Sequence, residues 1–165
     1  MKKLANAGQM KQVDGYSIEE IGIPSLVLME KAALSVALEI KREITCLKSS
    51  NNKILAVCGV GNNGGDGVAA LRILKEWGYE GAVLLVGDEN KASEQMKVQL
   101  SIARKLSIPV MNYVELTDKH FLWSEYTIII DAIFGIGLSK EVTGIFDKVI
   151  TKMNEVKRRQ KEECK

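Results

Sequence analysis

In "ILAVCGVGNNGGDGVAALRIL", residues 54–74, a short apolar run, a glycine-rich turn and a helical pattern follow one another. This unit constrains the fold more than any other stretch. The run at 54–57 is continuous rather than alternating, the mark of a strand covered on both faces. Gly59, Gly61 and Gly64 then satisfy a G-x-G-x-x-G spacing, with Gly65 and Gly67 close behind. Such a loop, after a strand and before a helix, lets backbone N–H groups approach a ligand closely. A tight strand-to-helix turn accounts for one or two of these glycines, not for all of them. The helix is expected from about residue 66 to 77, with Gly78 as its stop. Its N-terminus favours an anion such as a nucleotide phosphate.

The strand and helix patterns recur along the chain. "GAVLLVG" reads as a second buried strand. "SEQMKVQLSIARKL" reads as a helix capped by Ser93, with Met96, Leu100, Ala103 and Leu106 on one face. "IPVMNY" is a short third strand, which Pro109 confines to an edge or to the strand's start. A polar loop holding the single histidine, His120, leads to "YTIIIDAIFG", a fourth strand ending at Asp131. Val142, Ile145, Phe146, Val149, Ile150 and Met153 then recur with helical period over about 142–155. Ahead of the first strand, Ser17 and Glu20 suggest a capping box that starts a short helix. Pro24 and Ser25 open a longer helix, with Leu26, Met29, Ala33, Val36, Ala37 and Ile40 on its buried face. Alternating strands and helices imply a mainly parallel sheet in a Rossmann-like three-layer α/β/α sandwich, led by N-terminal helices.

Composition narrows the function. With 165 residues, 46% hydrophobic and 27% charged, the chain suits one soluble globular domain. A net charge of +2, with both signs interspersed, gives no electrostatic footprint for nucleic acid. The basic tail "KRRQKEECK" reads as a solvated helix end. Cys46, Cys58 and Cys164 are odd in number and lack C-x-x-C spacing, which fits a reducing compartment and no thiolate metal site. "MKK" is followed by no apolar signal region, and no apolar run is long enough to span a membrane. The expected location is the cytoplasm.

A second polar cluster is "DAIFGIGLSKEVTG". Asp131 stands where ligands gather in open α/β sheets, outside the carboxyl ends of the strands. Asn62, Asn63, Asp66 and Asp131 are therefore expected in one crevice, unless Asp131 only caps the next turn. Gly135, Gly137 and Gly144 make a second amide-rich loop. Amide, carboxylate and carbonyl oxygens form a donor set for hard cations. A P-loop is excluded, because no Lys-Ser/Thr pair follows the glycines. No Ser-His-Asp arrangement is evident. An NAD-dependent dehydrogenase is the weaker reading. It would place Asp66 in the helix's first turn, against a pyrophosphate, and Asp88 could be its ribose-binding acid or simply a turn residue.

"GVGNNGGDGVAALRIL" and "DAIFGIGLSKEVTG", with the opening "MKQVDGYSIEEIGIPSLVLMEKAALSVA", resemble the YjeF N-terminal family of NAD(P)HX epimerases. The resemblance covers about residues 9–154. It implies a Rossmann-like domain that interconverts the R and S epimers at C6 of hydrated NADH or NADPH. A fused or separate dehydratase then restores the cofactor. It also implies a potassium ion held by Asn63 and Asp131, and a homodimer. Substrate contacts are implied for Asn62, Asn63, Gly64, Gly65 and Asp66, and for Gly135, Ile136, Gly137, Leu138, Ser139, Lys140 and Glu141. The family continues into a strand ending Asp-x-Pro-Ser-Gly. Here the two prolines are Pro24 and Pro109, so residues 1–165 read as a single domain, C-terminally incomplete. No catalytic acid is assigned. The alternative is an inactive nucleotide-binding or scaffold module of the same fold.

Overall fold

A computed structural model describes residues 5–47, 52–113 and 121–163. His120 and Cys164 lie outside them, as does the side chain of Cys46. Four strands form one sheet in the order β3-β2-β1-β4. They are β1 (Ile54–Cys58), β2 (Gly81–Leu85), β3 (Val110–Asn112) and β4 (Ile128–Ala132), and every pairing is parallel. All five residues of β1 are buried. A continuous apolar strand belongs in the centre, where each large side chain contributes about 1.5–3 kcal/mol by leaving water. The alternate residues Ile54, Ala56 and Cys58 join one core, and Leu55 and Val57 join the other.

The first core is covered by α2 (Ser25–Leu47), α3 (Asn62–Glu76) and α4 (Glu94–Lys105). Arg72 of α3 donates to Glu30 of α2, tying the two helices at their rim. The second core is covered by α5 (Gly144–Glu163) and by the return segment carrying Phe121 and Trp123. The result is the expected three-layer α/β/α sandwich. The chain steps from β1 to β2 to β3, and β4 then lies on the far side of β1. Right-handed crossovers in opposite directions place their connections on opposite faces. The reversal between β1 and β4 is the topological switch point.

Several boundaries differ from expectation, each for a local reason. The first helix, α1, runs Ala7–Glu19 rather than starting at Ser17. Its capping box is Asn6 with Gln9, each side chain 2.9 Å from the other's backbone N–H. Ser17 instead donates its hydroxyl to the Val13 carbonyl, 2.8 Å away, inside the helix. α3 begins at Asn62, four residues before Asp66, so most of the glycine run is helical. α5 begins at Gly144, which leaves Val142 ahead of it, and continues to Glu163. Val36 and Leu106 are exposed. The buried stripe of α2 is Met29, Ala33, Ala37 and Ile44, and Val36 falls off it. Leu106 is the C-cap of α4 and has already left its buried face. Ser93 caps α4 as expected, accepting from the Met96 N–H at 3.2 Å.

Candidate functional site

The switch point opens an elongated cavity of about 870 Å³ at the carboxyl ends of β1 and β4. One wall is the turn 59–63 with Asp66 of α3, and the other is the segment 133–143. Met10 and Asp14 of α1 reach in from above, and Phe146 of α5 closes one end.

The first wall is built by close packing. A Cβ on Gly64 would lie 1.8 Å from the Gly59 carbonyl oxygen, and one on Gly59 would lie 2.2 Å from the Ile133 carbonyl oxygen. A Cβ on Gly65 would meet Met29 Cε at 2.8 Å, and one on Gly67 would meet Ala132 Cβ at 2.5 Å. These glycines let α3 press against its own turn, β4 and α2. That corrects the expectation that a structural turn could explain only one or two of them. Gly64 and Gly65 are buried in the helix and do not line the cavity.

What the packing presents to the cavity is the start of α3. Gly61 is the N-cap, in extended conformation and with no side chain to cap the helix. The first intrahelical bond runs from the Gly65 N–H to the Gly61 carbonyl at 3.1 Å. The N–H groups of Asn62, Asn63 and Gly64 are thus left without helical acceptors. No acidic residue stands in this first turn. Asp66 lies one turn further in than expected, on the same wall. A helix start of this kind accepts a phosphate oxygen.

Asp66 lines the cavity and is half-buried. Its carboxyl is pushed up to about 6, first by burial and then by the charge of Asp14 on α1. Asn62 and Asn63 line the same wall, and Gly135, Ile136, Gly137, Leu138, Ser139, Lys140 and Glu141 line the other. The walls touch where Asn63 meets Gly135, whose missing Cβ would stand 3.2 Å from Asn63 Cβ. Ile136 and Leu138 are exposed apolar side chains of the second wall, available to a ligand's ring.

Asp131 departs from expectation. It is on β4, level with Val57, and its exposed side chain does not line the cavity. Its Oδ1 accepts from the Ile133 N–H at 3.2 Å, the turn-capping role held open above. Asp88 is likewise a turn residue, accepting from the Asn90 N–H at 3.0 Å. Cys58 is buried beneath the site, and burial, with the charge of Asp131, pushes its thiol far up, so it is inert.

The oxygen donors suit a hard cation. Asn63 offers an amide oxygen at the wall contact, and Asp131 keeps a second carboxylate oxygen beyond its turn. Cys58, the cysteine beneath the site, stays protonated and offers no thiolate. Sequence patterns missed Met10, Asp14, Phe134, Val142, Thr143 and Phe146 as cavity residues. Nothing in one dimension links Asp14 to Asp66, since only the fold brings α1 over α3.

A helix start and a glycine-rich loop facing each other across the switch point of a doubly wound domain occupy the place where open α/β sheets gather their ligands. The chain belongs to the family described as YjeF-related protein N-terminus, whose profile matches residues 25–161. It is 43% identical to a protein named NAD(P)H-hydrate epimerase from Weissella koreensis, over 93% of this chain and 65% of that one. It is 39% identical to the protein of that name from Oenococcus oeni, over 88% of this chain and 65% of the relative. It is 40% identical to that of Limosilactobacillus fermentum, over 90% and 66%. The chain thus spans slightly under two thirds of the length of these relatives. The crystal structure of yeast ynu0, YNL200c, superposes with a TM-score of 0.83 at 26% identity, covering 95% of this chain and 67% of that one.

Proposed function

We propose that the chain is the epimerase domain its relatives' name describes, interconverting the R and S forms of hydrated NADH or NADPH. The observation that carries this reading is that two stretches, residues 59–63 with Asp66 and residues 133–143, face each other across one cavity. The N–H groups of Asn62 and Asn63, on the cavity wall, would take a phosphate oxygen of the cofactor. Ile136 and Leu138 would pack on a ring, and Ser139, Lys140 and Glu141 would order the second wall around it. A potassium ion would be held by the Asn63 amide oxygen on the first wall and by the second carboxylate oxygen of Asp131, which stands at the neighbouring strand end outside the cavity lining.

The chemistry follows from the substrate. At C6 a hydroxyl stands beside the ring nitrogen. The nitrogen lone pair expels it as water and leaves an iminium cation. Water then adds from the other face and loses a proton. The protein's task is to supply a proton to the departing oxygen and take one from the incoming water. It also keeps negative charge near the cation.

Among the described residues no helix is long and apolar enough to cross a membrane. The proposed setting is the cytoplasm, with a second copy of the chain and a dehydratase as partners. The test starts from the pure R hydrate of NADPH with potassium and follows the S form, for this chain and for one extended to its relatives' length. Acceleration over the spontaneous rate by either supports the reading. Acceleration by neither overturns it and leaves a binding module of the same fold. Labelled oxygen entering C6 from solvent supports the water-loss route.

A further inference from the structure

Four charged side chains line the cavity: Asp14, Asp66, Lys140 and Glu141. Three of them are exposed, and only Asp66 is half-buried. Asp66 stands on a closely packed turn of α3. Its neighbours Gly65 and Gly67 are pressed against Met29 on one side and Ala132 on the other, so its backbone has no room to shift. It sits one helical turn beyond the N–H groups that suit a phosphate, and on the same wall. Asp14 comes from a different kind of element. α1 buries none of its residues, yet it holds Met10 and Asp14 over the cavity.

We propose that Asp66 delivers the proton to the departing C6 hydroxyl, and that Asp14, carried on α1, is the positioning residue that keeps that proton in place. This rests on the epimerase reading above. The step balances. The C6–O bond breaks with its electron pair on oxygen, the Asp66 proton completes a water molecule, and the ring nitrogen lone pair becomes the second bond of C=N. Water adds to the other face of C6, and the proton it sheds returns to the Asp66 carboxylate through solvent. Two neighbouring carboxylates cannot both ionise freely, so Asp14 favours the protonated form of Asp66 that the step needs. Burial of Asp66 acts in the same direction, which puts its titration at about 6. Lys140 and Glu141 on the opposite wall carry opposite charges. A helix with no buried residue thereby acts on Asp66 through the charge of Asp14.

Two readouts test this. Carbon NMR of the Asp66 carboxyl, which needs no substrate, follows its titration in the wild-type chain and in Asp14→Asn. Rate measurements, corrected for spontaneous epimerisation, give the pH profile of kcat/KM for the wild type, Asp14→Asn, Asp66→Asn and Asp66→Glu. The expected results are a wild-type titration near 6 that moves down in Asp14→Asn, with an alkaline fall in kcat/KM moving down alongside it. Asp66→Asn should lose about 100-fold or more in kcat/KM, the usual scale of general acid catalysis, and Asp66→Glu should recover part of that. An alkaline limb that ignores Asp14→Asn overturns the proposal, as does an Asp66 that titrates in the ordinary carboxylate range. A wild type that titrates as expected but does not epimerise overturns the functional reading instead, and the assigned step falls with it.

Discussion

The two walls of the cavity are both rich in glycine, and their glycines do opposite work. On α3, Gly64, Gly65 and Gly67 are buried, and a Cβ on any of them would meet an atom closer than real Cβ atoms approach. Across the cavity, Gly137 and Gly144 have open space where a Cβ would be. Gly144 is needed for its backbone, at φ +67°, where the loop turns into α5. Only Gly135 is pressed by a neighbour, and that neighbour is Asn63 of the facing wall. So one wall is fixed by contact and the other is held mainly by its ends.

The sharpest way to break this comparison is one methyl group on each wall. Gly64→Ala drives a Cβ into a backbone oxygen that has no way to yield. It should cost about 3 kcal/mol or more, at the severe end of overpacking. By thermal unfolding that is a drop on the order of 10 °C for a domain of this size. A melting point within a degree of the wild type would show that α3 can shift and that the wall is not fixed.

A second experiment sharpens the electrostatics of the rigid wall. Asp66 titrates higher in the folded chain, at about 6, than in an unfolded one. Between the two values the folded state holds the extra proton, so stability falls as pH rises through this window. The charge is then a burden above about pH 6 and none below the ordinary carboxylate range. Asp66→Asn should therefore melt higher than the wild type at pH 8, with the difference vanishing near pH 3.5. Equal melting curves across the whole range would place Asp66 in solvent.

The smallest effect is expected on the open wall. Gly137→Ala meets nothing and keeps an ordinary backbone, so its stability should stay within about 0.5 kcal/mol of the wild type. Its influence belongs in ligand affinity, measured by titration calorimetry with NADPH. A large loss of stability would mean that the second wall is packed as tightly as the first.

Much of this architecture was legible in the chain. Continuous apolar runs at 54–57 and 81–86 announced central parallel strands, and all but Gly81 are buried. Ser93 and Gly78 marked helix ends because caps act over three or four residues, a range that sequence displays directly. The quoted motifs marked 61–66 and 135–141 as walls of a site. Other features were not legible. The start of α3 was misplaced because glycine has poor helix propensity, and close packing overrides it. Asp131 was drawn into the crevice by its place at a strand end, but strand alternation turns it toward the other face, level with Val57. Asp14 carried no signal at all.

The sequence by itself determined the alternation of strands and helices and the glycine-rich stretches that follow two of the strands. These depend on periodicity and caps, which are local. Only the tertiary structure decided why each glycine is there and which carboxylates share the cavity. Contact between residues 14 and 66, or between 59 and 133, depends on how helices and strands stack in three dimensions. No local pattern encodes a distance across that stack.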